Sequence, residues 1–180
     1  MFKKPQSSIL GAAGEHLTLS HLLRRGFIAG KTPDYTKDYD LVVLGKQGTV
    51  SAPIQVKATT GRDWVLSSKN EKTSKNLIYC FVSFSLENDD SEIFVVPSKI
   101  VANFLRMSHR ISLKAPRKDG KVRKDTSIRK FERNFQTHKF VDDPSFMAGL
   151  SRSERLFISR HSRGWLDKYR FAWTLIEAVP

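Results

Sequence analysis

The chain has 180 residues, of which 39% are hydrophobic and 27% are charged, so it can form one domain with a buried core. No apolar run reaches the roughly eighteen residues of a membrane span, which excludes an ordinary membrane-spanning protein. Thirty-one Lys and Arg against eighteen Asp and Glu give a net charge of +13. That excess indicates a polyanionic partner, most often nucleic acid, although a solvated basic tail without a partner is the plainer alternative.

The expected compartment is the cytoplasm. The single cysteine, Cys80, excludes an internal disulfide framework and suits a reducing environment. The apolar stretch near the first residue is too short for a signal peptide and is interrupted by Glu15 and His16. The chemistry of Cys80 is expected to be that of a buried, inert thiol.

The first predicted elements are a helix and a β-hairpin. The sequence SSILGAAGEHLTLSHLLRRGF, from Ser7, has apolar residues at helical spacing and ends at Gly26, a typical helix stop. FIAGK follows as a short strand. The range Asp40–Thr59 is predicted to be a hairpin that turns at KQGT, residues 46–49.

Three further strands and a helix complete the predicted core. DWVLSS is a third strand, LIYCFVSFS at 77–85 is a central strand, and IFVVP returns antiparallel to it. KIVANFLRM, after Ser98, is helical. The expected fold class is therefore mixed α/β, with a mixed sheet flanked by helices.

The rest of the chain is basic and then helical. Residues 106–133 contain eleven Lys or Arg and three Asp or Glu, and periodicity fades over 110–143, which predicts a loop or a mobile hairpin. SRSERLFISRH begins with a capping box, and GWLDKYRFAWTLIEA, from Gly164, predicts a final amphipathic helix. The expected organisation is a single domain over 1–180, with a core at 9–105, a basic arm at 106–143 and a partly irregular, helical extension at 144–180.

Four polar residues occupy positions where the pattern would favour apolar ones. Gln55 and Lys57 lie on one face of a strand by the period of two, and the antiparallel hairpin brings Asp40 towards them. Glu15 lies beside the apolar stripe of the first helix. Each residue also has a plainer interpretation: a solvated strand face for Gln55 and Lys57, a loop cap for Asp40, and a surface ion pair with a lysine for Glu15.

The order Glu15, Asp40 and then Gln55-Val56-Lys57 resembles the PD-(D/E)XK nuclease superfamily, which has the restriction-endonuclease-like fold. The resemblance covers roughly residues 9–105. It implies a Mg²⁺- or Mn²⁺-dependent DNA endonuclease that hydrolyses phosphodiester bonds with a metal-activated water. The Gln at position 55 departs from the acidic residue of the pattern and removes one formal charge.

The resemblance implies a role for each residue of the motif. Asp40 is similar to the principal metal ligand, Gln55 to a second ligand through its amide oxygen, and the Val56 carbonyl to a backbone ligand. Lys57 resembles the residue that positions or activates the attacking water, and Glu15 the helix carboxylate that helps to bind metal or water. Asp38 is a nearby substitute for Asp40, and the literal Pro33-Asp34 lies in a loop before the strand.

Phosphate contacts are expected from the basic arm. They would track a backbone without reading bases, and the expected residues, with Arg62 near the motif, are Lys114, Arg117, Lys118, Lys121, Arg123 and Lys124. Trp64 could line the same groove, but core packing is favoured for it. The expected partner is DNA rather than RNA, and a homodimer is among the expected states because a duplex cutter with one site per chain is often a dimer.

Other classes of function stay open. One alternative is a catalytically inactive nuclease fold that binds nucleic acid, with Gln55 as the mark of lost activity. Another is an interaction protein whose basic arm contacts RNA or the ribosome. The five histidines never fall at a zinc spacing with a cysteine, and neither a phosphate-binding P-loop nor a nucleophile-elbow motif occurs.

Overall fold

The computed structural model describes residues 5–33, 36, 38–45, 50–88, 90–117 and 121–177. The strands are Ile28–Lys31 (β1), Leu41–Leu44 (β2), Val50–Thr59 (β3), Asp63–Ser67 (β4), Ile78–Phe84 (β5), Ser91–Pro97 (β6) and Ile128–Glu132 (β7). The α-helices are Ser7–Leu23 (α1), Ser98–Lys114 (α2), Pro144–Ala148 (α3), Arg152–Arg160 (α4) and Thr174–Glu177 (α5). The predicted turn of the hairpin, 46–49, lies outside the described residues.

The main sheet has five strands in the order β1-β2-β3-β5-β6. β1, β2 and β3 form an antiparallel meander, β5 runs parallel to β3, and β6 runs antiparallel to β5. β5 therefore has a neighbour on each side, as its long apolar sequence predicts. With helices on both faces, this mixed sheet confirms the expected fold class.

Alternation along β5 separates two hydrophobic cores on the two faces of the sheet. Ile78, Cys80 and Val82 contribute to the core that α1 covers. Tyr79 and Phe81 contribute to the opposite core, which α2 covers. Since β3 pairs with β5 in register, the face of each β3 side chain follows from its β5 neighbour.

β4 leaves the main sheet and pairs with β7 in a separate two-stranded sheet. Both strands insert aromatic side chains into the core beneath α2. Trp64 is buried and its indole Nε1 donates to the Val82 carbonyl over 2.8 Å, which confirms core packing for this residue. Phe131 stacks on Phe81 with ring centroids 4.3 Å apart. Part of the basic segment is therefore regular structure that the sequence pattern does not reveal, because β7 is short.

The final amphipathic helix predicted from Gly164 is wrong. The chain instead forms turns, a 3-10 helix at Asp167–Tyr169, and the short helix α5. Gly164 and Phe171 have left-handed backbone conformations, with φ of 86° and 50°, which interrupt any helix. The Phe171 N–H donates to the Ile93 carbonyl over 2.8 Å, so this segment docks on the β6 edge.

None of the helices in the described part of the chain combines the length and the apolar character that crossing a bilayer would require.

Candidate active site

The start of β2 fixes Asp40 against the backbone of β3. Leu41 pairs with Ile54, and the Asp40 N–H donates to the Ile54 carbonyl over 2.8 Å. The Val56 N–H in turn donates to Asp40 Oδ2 over 2.7 Å. The carboxylate is therefore held at the end of the β2–β3 ladder, where β3 continues beyond its partner.

Gln55 and Lys57 lie on the face of β3 opposite to α1. Their neighbours Ile54 and Val56 are buried in the core beneath α1, so alternation directs Gln55 and Lys57 to the other face, where both are half-buried. Asp40 lies at the bend before β2, and its carboxylate reaches the Val56 backbone, between Gln55 and Lys57 in the sequence of β3. The hairpin thus brings together three of the four residues of the motif.

Partial burial makes the Asp40 carboxylate electrostatically unusual. Burial raises the pKa of Asp40 above its ordinary value, and the charge of Glu15 raises it further. The hydrogen bond from Val56 and the ammonium of Lys57 lower the pKa but do not fully offset the burial. A cation at this carboxylate would relieve the cost of burying its charge.

Glu15 reaches the same region from α1. A small cavity of about 120 Å³ is lined by Glu15 and Asp40, together with the loop that follows β1. Lys31 on β1 forms an ion pair with Glu15, with Nζ and Oε2 2.8 Å apart. The ion pair with a lysine is the plainer interpretation of Glu15, and its position beside Asp40 is the functional one; the structure contains both features.

Asn70 is a residue of the site that sequence reasoning missed. It lies in the 3-10 helix Ser68–Glu71, and its Nδ2 donates to Gln55 Oε1 over 3.3 Å and to the Tyr79 hydroxyl over 2.9 Å. The Ser67 N–H donates to Asn70 Oδ1 over 3.0 Å, which fixes the orientation of the Asn70 amide. The one local signal for Asn70 is the capping box that it forms with Ser67.

The oxygen donors at the hairpin fit a small hard cation. Asp40 offers a carboxylate, Gln55 an amide oxygen, and Val56 a carbonyl that points to the same side of β3 as its N–H, towards Asp40. Mg²⁺ needs only one or two protein carboxylates and keeps several waters. No cluster of three or more His, Cys, Asp or Glu suited to a metal occurs among the residues that the structure describes, so a site here would depend on the amide and the backbone oxygen.

The basic residues expected to contact phosphate lie in different places. Lys114 forms an ion pair with Glu154, with Nζ and Oε1 2.8 Å apart. A cavity of about 560 Å³ beside the end of α2 is lined by exposed basic residues of the arm, namely Arg117, Lys121, Arg123 and Lys124. Lys118 lies outside the described residues. Arg62 is exposed and lines another cavity, with Arg133.

Comparison with solved structures finds a similarity to a bacterial endonuclease. No protein-family model matches the chain, and no curated protein matches it either. The solved structure is described as a bacterial homing endonuclease, I-Ssp6803I; it is 14% identical, with 96% of this chain and 92% of that chain covered and a TM-score of 0.48. At this level of similarity no residue role transfers, and the chemistry of the site rests on its own geometry.

Proposed function

We propose that the chain is a metal-dependent DNA endonuclease that hydrolyses phosphodiester bonds at the β2–β3 hairpin. One observation supports this most directly: the Val56 N–H donates to Asp40 Oδ2 over 2.7 Å, and Val56 lies between Gln55 and Lys57 on β3. A carboxylate, an amide oxygen and an ammonium on one rigid hairpin suit a cation and the phosphate beside it.

Each residue has a distinct proposed role. Asp40, the amide oxygen of Gln55 and the Val56 carbonyl hold Mg²⁺ or Mn²⁺, which when bound polarises the phosphate and lowers the pKa of the attacking water. The Lys57 ammonium binds a phosphate oxygen and stabilises the negative charge that develops in the transition state. Glu15 accepts a hydrogen bond from the water and orients it, with Lys31 holding the carboxylate in place.

DNA is the proposed substrate because the molecule carries a strong positive charge. The net charge of +13 favours a polyanion, and the exposed residues Arg117, Lys121, Arg123 and Lys124 offer contacts to backbone phosphates. Contacts of this kind position a duplex without selecting its sequence.

The first experiment measures plasmid cleavage by the purified chain with Mg²⁺ or Mn²⁺. Asp40→Ala and Lys57→Ala should each lower the rate by at least roughly 100-fold, because the first removes the proposed metal ligand and the second removes the ammonium that stabilises negative charge in the transition state. Asp142→Ala and Lys139→Ala, at exposed positions in the C-terminal half, are charge-matched controls and should cleave normally. Unchanged cleavage by either hairpin variant, with an unchanged unfolding temperature, would refute the assignment.

Asp38→Ala separates the two candidate acidic residues. Asp38 is exposed, so this variant should keep its activity if Asp40 is the ligand. A chain that binds DNA tightly but never cleaves it with either metal would support the inactive, nucleic-acid-binding alternative.

A further inference from the structure

A second basic site lies beside β6, two strands away from β3 in the main sheet. A cavity of about 650 Å³ is lined by four arginines from three segments of the chain, which are Arg62, Arg133, Arg163 and Arg170. Phe94 on β6 also lines this arginine pocket. A concave surface that collects four guanidinium groups is a site for an anion rather than for an apolar ligand.

Arg133 is built into the wall of the arginine pocket. Its guanidinium lies 5.3 Å from the centre of the Trp64 ring and 5.0 Å from that of Phe94, and Nη1 is 2.6 Å from Glu92 Oε2. Its Nε and Nη2 are buried and have no hydrogen-bond partner among the described residues. The aromatic contacts hold the positive charge in place, but the unsatisfied N–H groups have a cost that an anionic ligand nearby would reduce.

The charges around the pocket do not balance. Arg170 pairs with Glu92 over 2.9 Å and with Asp167 over 3.3 Å, and Glu92 also pairs with Arg133. Both carboxylates are therefore already in ion pairs with Arg133 or Arg170. Arg62 and Arg163 are exposed, and neither forms an ion pair within the described part of the chain. Asp63 Oδ1 also accepts from the Arg133 backbone N–H over 3.4 Å, so four guanidinium groups stand against three carboxylates among the described residues, an excess of one positive charge.

The pocket lies beside the row of paired strand residues that contains Lys57. Lys57 pairs with Phe81, and Phe81 pairs with Phe94, so one row of residues crosses from β3 through β5 to β6. Neighbouring strands are about 4.8 Å apart, which puts Phe94 roughly 10 Å from Lys57. One polynucleotide could therefore reach both places.

We propose that the arginine pocket binds a backbone phosphate of the nucleic acid, away from the phosphate at the hairpin. The planar fork of arginine matches phosphate oxygens, and the exposed Arg62 and Arg163 make the direct contacts, with Arg133 as the fixed charge behind them. The choice of nucleic acid as the ligand rests on the proposed function; the anion site rests on the pocket itself.

The test measures duplex binding by fluorescence anisotropy across a range of salt concentrations, in EDTA, so that cleavage is not needed. Arg62→Ala with Arg163→Ala should weaken binding roughly tenfold and make the dependence of log K on log salt shallower by about one to two. The matched control is Arg152→Ala with Arg160→Ala, at exposed positions on α4, which removes the same net charge outside the pocket. Arg62→Lys with Arg163→Lys should recover the salt slope and only part of the affinity, because lysine lacks the fork.

The outcomes distinguish failure of the pocket proposal from failure of the proposed cleavage at the hairpin. Equal affinity and equal salt slope in the pocket and control variants would overturn the proposal, even if Asp40-dependent cleavage is found. Loss of binding in the pocket variant alone would support it, even if the chain never cleaves DNA. Inorganic phosphate is the second probe, and its binding is measured by tryptophan fluorescence. If phosphate binds to the native pocket but the pocket and control variants have equal affinity for DNA, the pocket is a site for a free anion and the proposal is overturned.

Discussion

Gln55 gives the candidate metal site its unusual charge. The carboxylates of Glu15 and Asp40 face the ammonium groups of Lys31 and Lys57, so the residues gathered at the hairpin sum to zero before any cation binds. An amide oxygen supplies a ligand without supplying charge. The affinity for Mg²⁺ is therefore expected to be limited by charge rather than by the number of oxygen donors.

Changing Gln55 to Glu should tighten metal binding. Gln55→Glu keeps the shape of the side chain and adds one negative charge, so we expect roughly tenfold tighter binding of Mg²⁺, about 1.4 kcal/mol. Calorimetric titration of the DNA-free protein measures this directly. Gln55→Ala is the control and should bind more weakly than the native chain, since it loses the oxygen; a Glu variant that binds no tighter than native would place the cation elsewhere.

The close contact between α1 and β3 is what brings Glu15 to the hairpin. A Cβ atom placed on Gly14 would lie 2.8 Å from Ala58 Cβ, closer than packed side chains allow. The Thr18 hydroxyl donates to the Gly14 carbonyl over 2.8 Å, within the same buried face of the helix. Glycine at this position therefore sets how near the helix lies to the strand.

Two glycines of α1 should respond oppositely to the same substitution. Gly14→Ala forces the helix away from β3 and should lower the free energy of unfolding by about 1–3 kcal/mol. Gly11→Ala meets no atom within 4 Å and should raise it by about 0.5–1 kcal/mol, because alanine favours the helix. Urea denaturation measures both values. Equal effects at the two positions would mean that the helix does not rest on β3 at Gly14.

At the scale of the whole molecule, Glu154 connects the C-terminal helices to the core. This buried carboxylate on α4 accepts from Lys114 over 2.8 Å and lies 3.2 Å from Arg110 Nε, both on α2. The Ser151 N–H donates to its other oxygen over 2.8 Å. Burial by itself raises the pKa of Glu154, but the hydrogen bonds from Lys114 and Ser151 outweigh it and bring the pKa to about 2.

The low pKa predicts how Glu154 contributes to stability in acid. Because the folded-state pKa lies below the unfolded value near 4.3, the contribution is complete above that value and is lost as pH falls towards 2. Glu154→Gln keeps the capping box but loses the charge, and should lower the free energy of unfolding by about 1–3 kcal/mol at pH 7. The difference from the native chain should shrink below about pH 4. Glu87→Gln, at an exposed loop position, is the control; a difference that persists at pH 2 would rule out the charge as its origin.

Much of the architecture was predictable because it depends on contacts between near neighbours in sequence. The apolar period of α1 and the alternation of β3 are local patterns, and a hairpin joins strands that follow one another. The placement of Asp40 beside Gln55 and Lys57 follows from these patterns. The polar residues at apolar positions were therefore visible before the structure.

Only the tertiary structure decided the contacts between distant segments. β4 and β7 form their own sheet, Asn70 reaches Gln55 from a 3-10 helix, and the arginine pocket draws its residues from four places in the chain. The same limit explains the failed helix at the C-terminus, where an amphipathic sequence meets the β6 edge instead of continuing its own hydrogen bonds. Sequence periodicity fixes which side of an element is apolar, whereas the partner of that side is chosen by the summed packing of the whole fold.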